Sequence, residues 1–445
     1  MKKTNVLLAF SAFFIFSVSL WVVPEADAVP AFARQTGLAC STCHFQHFPA
    51  LNAFGRAFKA GGYTQIGGQG KIEGDDLSIP DTLNASLVTK IRYQKTNGSD
   101  VLSTTTSNES KIGKNKGELQ FPDEAAVFLA GRAGEHIGFV LEAQIKNDAA
   151  SMFANFKMPI LYDVGPAKVS VIPFTTDGAG VAYGFELLNT GAISMHTTSA
   201  REGNNISAQS FIGVQTEAVG LALVASNDMG FINLSLWGPT HANSVATGFD
   251  LSHYVRVAAT PNIGGWDLGV GAQYWGGKTK VGDTDNTPSQ IYVTKAWAVD
   301  AQAQGDVGMP LGVYLSYGNA DASKDAKNGL ADGTTEDNVF NNNAKAKKAW
   351  SALAELGVLP GKVTVAAGYR SGDTGAAANN KDNATIAGVT YLLAQNVQLV
   401  LNHAIYSGSA QDKTDSTGAL RSGTLSQAAG DGADSLTTLM LFAAF

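Results

Sequence analysis

From about Asn84 to the terminal Phe445 the chain breaks into short segments in which apolar and polar side chains alternate, separated by clusters of Gly, Asn, Asp, Ser and Thr. A period of two places alternate residues on opposite faces of a strand. In His136 to Lys146, Ile137, Phe139, Leu141, Ala143 and Ile145 share one face, while His136, Glu142, Gln144 and Lys146 share the other. Asn396 to Tyr406 repeats the pattern, with Val397, Leu399, Leu401 and Ile405 opposite Asn396, Gln398 and Asn402. So does Asp250 to Thr260, with Leu251, Val255 and Val257 opposite Asp250, Ser252 and Arg256. A soluble sandwich alternates too, but here Glu, Lys, Arg and Gln stand at mid-strand on one face and the other face is nearly uncharged. A wet lumen on one side and lipid on the other require that division.

Two further features point to an all-β, transmembrane antiparallel β-barrel in a bacterial outer membrane. Aromatic residues gather near segment ends, as at Trp237, Trp266, Tyr274, Trp275, Tyr292, Trp297, Tyr314 and Tyr317, where interfacial girdles are expected. The last segment presents Leu439, Leu441, Ala443 and Phe445 on one face, like the closing strand of such a barrel. Sixteen to eighteen segments can be counted, and an even number is expected, so the count adopted is about sixteen. Thr96 to Gly117, Ala320 to Lys348, Ser371 to Asn383 and Ser407 to Asp434 are too long for turns and read as extracellular loops, polar because they are solvated. The 49 glycines and the low charged fraction of 16% suit a β-rich chain with many turns. A net charge of −7 with no basic stripe excludes a nucleic-acid partner. After Val29 no apolar run approaches the ~20 residues of a spanning helix.

The N-terminal part has a different character. Lys2 and Lys3, an apolar stretch from Val6 to Val23 and Ala26-Asp27-Ala28 have the plan of a cleaved signal peptide over residues 1–28, with a retained anchor as the alternative. Residues 29–80 then form a small α-helical head before a barrel over 81–445. Its aromatics cluster (Phe32, Phe45, Phe48, Phe54, Phe58, Tyr63), and a helix is expected from Pro49 to Lys59, carrying Phe54 and Phe58 at i,i+4 and ending at Gly61-Gly62. About fifty residues build no sizeable core alone. A large apolar body has to complete it.

The chain's two cysteines supply a reason. Cys40 and Cys43 are followed directly by His44, the spacing that attaches one c-type haem through two covalent thioether bonds with the imidazole as proximal axial ligand. A zinc site needs more ligands, a thioredoxin-like pair needs a βαβ context, and a disulfide scaffold needs more cysteines. For the iron's sixth position, His47 is poorly placed, lying on the same side as His44. Methionine is absent from residues 29–80, so a thioether would come from Met152, Met158, Met195 or Met229, or the position stays open. Arg56 and Lys59 are candidates for haem propionate contacts or acidic lumen groups, against a merely solvated helix face. No catalytic residue is singled out.

The stretch from Val29 to Thr64 closely resembles the head of the fused monohaem cytochrome–porins of iron-oxidising bacteria. The matching residues are Pro30 to Gly37 before the haem motif, and Phe48-Pro49, Phe54-Gly55-Arg56, Phe58-Lys59 and Gly62-Tyr63 after it. The match spans about 35 residues; the barrel agrees in length and pattern alone. The resemblance implies an outer-membrane oxidoreductase that takes electrons from extracellular Fe(II) and passes them to a periplasmic cytochrome or copper protein, its head entering the lumen from the periplasmic side as a plug. Two other readings stay open: a porin gated by its N-terminal segment, and a haem conduit exporting electrons to extracellular oxidants.

Overall fold

The computed structural model describes residues 31–98, 116–145, 152–190, 206–241, 251–281, 290–323, 336–411 and 433–445. The predicted leader lies outside them. Eighteen strand segments close into one antiparallel barrel, and two pairs of segments are single strands broken by a bend, so the wall has sixteen strands, the number expected. In chain order they are β1 (Ala85–Thr96), β2 (Glu118–Gly134), β3 (Ile137–Gln144), β4 (Phe153–Lys157 with Ile160–Val164), β5 (Ala167–Thr176), β6 (Ala218–Asn227), β7 (Gly230–Gly238) and β8 (Ser252–Ala259 with Asn262–Ile263). The second half is β9 (Trp266–Gly276), β10 (Ala296–Asp306), β11 (Pro310–Ala320), β12 (Lys347–Leu359), β13 (Val363–Asp373), β14 (Lys381–Ala394), β15 (Val397–Ser407) and β16 (Ser435–Ala444). Each strand pairs with its neighbours in sequence, and β16 pairs antiparallel with β1 from Leu436↔Thr96 to Ala444↔Val88.

One end of the barrel carries tight turns, such as Gly264-Gly265, where positive φ values of 60° and 81° favour glycine. Long connections leave from the other end. The expected loop at Ser371 to Asn383 is shorter than predicted, because β13 and β14 pair through Asp373↔Lys381 and leave only 374–380 between them. Most of the other three predicted loops lies outside the described residues.

Alternation decides which side chains meet lipid. Leu221, Leu223, Ile232, Leu234, Leu236, Val257, Leu315, Leu401, Ile405 and Leu439 stand exposed on the outer surface, while Asn233, Arg256, Gln273, Gln398, Asn402 and Thr438 from the intervening positions are buried inside. An aromatic belt runs over five outer strands: Tyr274 lies opposite Trp297, Tyr317 opposite Trp350, and the rings of Trp297–Tyr317 and Trp350–Tyr369 sit 5.2 and 5.4 Å apart. Trp237, Trp275 and Tyr314, expected in the girdle, are instead fully buried on the inner face. Trp266 lies at the turn end, and Tyr292 in a small sheet of Lys278–Val281, Gln290–Val293 and Glu336–Asn338 outside the barrel wall.

The inward tryptophans have a physical cause, which is that the lumen is filled. From the turn end comes the head, with helices α1 (Ala31–Thr36), α2 (Cys40–Cys43) and α3 (Ala53–Ala60) and a hairpin of Lys71–Gly74 with Leu77–Pro80. From the loop end, residues 177–190 and 206–217 fold inward, including α4 (Ala208–Phe211). Val181, Phe185, Leu187, Leu188, Ile212 and Val214 of that inward segment form one core with Phe174, Phe231, Trp237, Trp275 and Phe340. Apolar inner positions are favourable wherever another segment covers them. A buried ion-pair cluster fixes the segment to the wall: Arg256 reaches Asp300 with Nη2–Oδ2 at 2.8 Å and Glu186 with Nε–Oε2 at 3.0 Å, and Thr190 donates to Asp300 at 3.0 Å.

The outer face makes a direct prediction. Leu234→Arg, at the middle of β7, should destabilise the membrane-inserted barrel by about 2–4 kcal/mol, read from urea unfolding in lipid vesicles, while Leu234→Phe should leave the midpoint nearly unchanged.

Candidate cofactor site

Around Cys40 and Cys43 the chain is held by a short set of backbone contacts. Gly37, at φ 68°, ends α1, and α2 is a single turn closed by His44 N donating to Cys40 O at 2.9 Å. Both thiols are free and half-buried, and burial pushes both up in pKa, the reverse of a reactive redox thiolate. Asn52 ties the motif to α3. Its Oδ1 accepts from Gly55 N at 2.9 Å and caps α3, its Nδ2 donates to Thr42 O at 2.9 Å, and its N donates to Cys43 O at 3.0 Å. The predicted helix therefore starts at Ala53 rather than Pro49, because Phe45 to Leu51 fold back on the motif through Phe45 N to Ala50 O at 2.8 Å and a bridge between His44 and Leu51. Gly55 is needed for this packing: a Cβ there would stand 2.2 Å from Cys43 O.

His44 Nδ1 lies 3.3 Å from Ala50 O. A carbonyl only accepts, so Nδ1 carries the proton and Nε2 keeps a lone pair for a metal. Burial outweighs the hydrogen bonds to the Ala50 and Pro49 carbonyls and brings the ring's pKa down to about 4, so the imidazole is neutral and competent as a ligand. Phe48, whose ring lies 5.3 Å from that of His44, is 38% exposed, and on α3 Phe54 is 39% exposed with Ala53 and Ala57 also uncovered. Two thiols one helical turn apart, a free imidazole nitrogen and an uncovered aromatic surface suit a flat, apolar, covalently attached ligand. Elsewhere in the head Phe32, Phe58 and Tyr63 form an aromatic cluster, with ring separations of 4.8 to 5.8 Å.

The barrel wall supplies the remaining support. Gln35 donates to Tyr63 O and Gln65 O and accepts from Arg132 N of β2 at 2.9 Å. Ser41 N reaches Gln395, in the turn between β14 and β15, at 3.3 Å, which places α2 at the turn end of the barrel. Leu51 and Asn189 exchange two hydrogen bonds, 2.8 and 3.0 Å, so the head meets the inward segment.

The other residues singled out from sequence have varied surroundings. His47 is buried with Nδ1 at 2.8 Å from Phe48 O and Nε2 at 3.2 Å from both Glu355 oxygens of β12, so both ring nitrogens have partners within the protein. Burial would lower this ring's pKa, but Glu355 raises it above the ordinary histidine value, consistent with an imidazolium donating from both nitrogens. Arg56 is buried and pairs with Asp267 of β9, an acidic group of the kind expected as one of its two possible partners. Lys59 is half-buried in the head, and burial lowers its pKa while Glu186 opposes that shift. Met152 and Met229 stand 62% and 68% exposed, Met158 lies half-buried at the bend of β4, and Met195 lies outside the described residues. The roles of Glu355, Asp267, Asn189 and Gln398 as partners of the head escaped sequence reading, since an inward polar residue of a barrel strand or of the inward segment carries no mark of which atom it meets.

No protein-family model and no curated protein matches this chain. Solved structures similar to it include OmpT of Vibrio cholerae (12% identity, 84% of this chain and 100% of that chain, TM-score 0.46). OmpF of Salmonella typhi is similar at 12% identity over 84% and 100% of the chains, TM-score 0.45. OpdK of Pseudomonas aeruginosa is similar at 11% identity over 81% and 98%, TM-score 0.41. At these values the superpositions carry no argument of their own. The porin-like outer-membrane barrel rests on strand pairing and on the apolar outer face.

Removing one partner of a buried ion pair strands the other charge. Asp267→Ala should therefore loosen the head by about 3–5 kcal/mol, seen as protease cleavage within residues 31–80 at denaturant concentrations where the barrel still migrates as folded on unheated gels.

Proposed function

We propose that this protein is an outer-membrane electron-transfer protein: one haem c on Cys40 and Cys43 with His44 as axial ligand, accepting electrons from extracellular Fe(II) and delivering them to a periplasmic cytochrome or copper protein. The observation that carries the reading is the local geometry of Cys40, Cys43 and His44, with Nε2 of His44 free, Phe48 beside it and Phe54 uncovered on α3. The resemblance of Val29 to Thr64 to the cytochrome–porins of iron oxidisers supports the direction of flow. When bound, the haem supplies one-electron redox chemistry. The chain's residues do the rest. The two cysteines would anchor the group and His44, kept neutral by burial, would hold the iron. Phe48 and Phe54 would offer the group apolar contact surface. In outer-membrane barrels short turns face the periplasm, which would put the motif, at the turn end, within reach of a soluble carrier. The inward segment and the head together keep the lumen from passing solutes while electrons are exchanged.

Haem staining after denaturing electrophoresis should give a coloured band that Cys40→Ala with Cys43→Ala removes, and Fe(II) alone should reduce the oxidised protein on a stopped-flow timescale. A colourless wild-type band removes the haem, and an unchanged Soret band on adding Fe(II) removes the iron-oxidising role.

A porin gated by its N-terminal plug is the second reading. What favours it is the barrel's porin-like layout together with a head tied to the wall by hydrogen bonds and ion pairs, His47 to Glu355 and Arg56 to Asp267, that can release. Stepwise openings of the intact protein in a planar bilayer are the expected signature of that reading; a membrane that stays at its bare conductance rules it out.

A further inference from the structure

We infer that Glu355 and Gln398, two residues of the barrel wall, are positioning residues for the axial ligand His44, acting through His47 and Phe48; the inference rests on the haem reading above.

The head has no core of its own behind residues 45–50. What holds that segment is the wall. The Gln398 amide of β15 accepts from Phe48 N at 2.8 Å and donates to Phe48 O at 3.2 Å, so both backbone groups of one residue are gripped by one side chain. The Phe48 ring stacks on Phe442 of β16 at 4.9 Å with the planes 14° apart, and Phe442 lies directly opposite Gln398 in the β15–β16 register. Gln398 is fully buried and Phe442 is 2% exposed, so neither is free to turn away. The Phe48 ring also meets the His44 ring in an edge-to-face contact, centroids 5.3 Å apart and planes at 63°. The adjacent residue is pinned as firmly, His47 Nε2 lying 3.2 Å from both oxygens of Glu355 with the two side chains 3% and 4% exposed. Gln46 adds two contacts to the same wall, donating to Glu355 O at 3.3 Å and accepting from Thr364 Oγ1 at 3.1 Å.

The two ends of His44 are therefore held by different bodies. Cys40 O and Ala50 O, inside the head, fix its backbone and Nδ1. Its ring also meets an aromatic side chain, Phe48, whose position is set by β15 and β16. Covalent thioether bonds keep the porphyrin attached whatever the ring does, so loosening the wall contacts weakens axial ligation without releasing haem. Outer partners of a metal ligand change metal affinity by about tenfold to a hundredfold when removed.

The test uses the full chain in lipid vesicles, with Glu355→Gln and, as an independent variant that keeps the lumen charge intact, Gln398→Ala. Covalent haem is read by staining and barrel folding by migration of unheated samples. Axial ligation is read by titrating exogenous imidazole against the oxidised haem and by the midpoint potential. Both variants should keep stain and folded migration while binding imidazole about ten times more tightly than wild type, with a shifted potential. Glu355→Asp should recover most of the wild-type affinity. Asp382→Asn, which breaks a pair with Arg370 in the lumen and touches none of these contacts, should bind imidazole as wild type does. Unchanged imidazole affinity and potential in stained, folded Glu355→Gln and Gln398→Ala overturn the positioning role alone. A wild-type protein without covalent haem overturns the haem reading and this inference with it.

Discussion

With no water in the hydrocarbon layer, every backbone N–H and C=O that crosses it needs a partner within the protein, and a sheet meets that demand only when it has no edge. The pairing of β16 with β1 removes the last edge. Closure has a second consequence. A ring of sixteen strands encloses a space too wide for its own inner side chains to fill, so the interior must hold water, solute or more protein. Here it holds protein, from both ends.

That filling explains why the inner face is neither uniformly polar nor uniformly wet. Where the inward segment lies against β5 to β11, the inner positions are Phe174, Phe231, Trp237 and Trp275, and they form a dry core. Several of the charges that remain inside are paired, as in Arg256 with Asp300 and Glu186, since an isolated buried ion is strongly unfavourable. The head follows the same rule: His47 and Arg56 are buried, and each faces a wall carboxylate. A domain of about fifty residues lacks the apolar area to fold alone, and this one is completed by contact with strands from across the barrel, from β2 at Gln35 to β16 at Phe48. The barrel is thus both container and missing core.

Much of this was legible in the residues. Period-two alternation in His136 to Lys146, Asp250 to Thr260 and Asn396 to Tyr406 assigned lipid and lumen faces that the exposure of Leu401 and Ile405 and the burial of Arg256 and Gln398 repeat. The end of the helix at Gly61-Gly62 was legible because glycine is required there by backbone geometry, Gly62 having φ 62°. Its start was not: Asn52 caps α3 with its own side chain, whereas Pro49 only looked like a first-turn residue. The girdle was read partly wrongly for a related reason. Trp237 and Trp275 have the composition of interfacial residues, and only the parity of their strands, with a segment packed over them, places them inside.

The sequence by itself determined the local chemistry: strands that alternate, and a Cys40, Cys43, His44 triplet whose spacing depends on a single helical turn. Those are properties of residues within one turn or one pleat of each other. Tertiary structure alone decided that His47 faces Glu355, that Arg56 faces Asp267, that Leu51 meets Asn189 and that Phe48 is gripped by Gln398. These partners lie 138 to 350 residues apart, joined by a closed ring whose register no local pattern encodes. The physical reason is that alternation specifies which face a side chain is on, while closure and the seating of the plug specify which atom it meets.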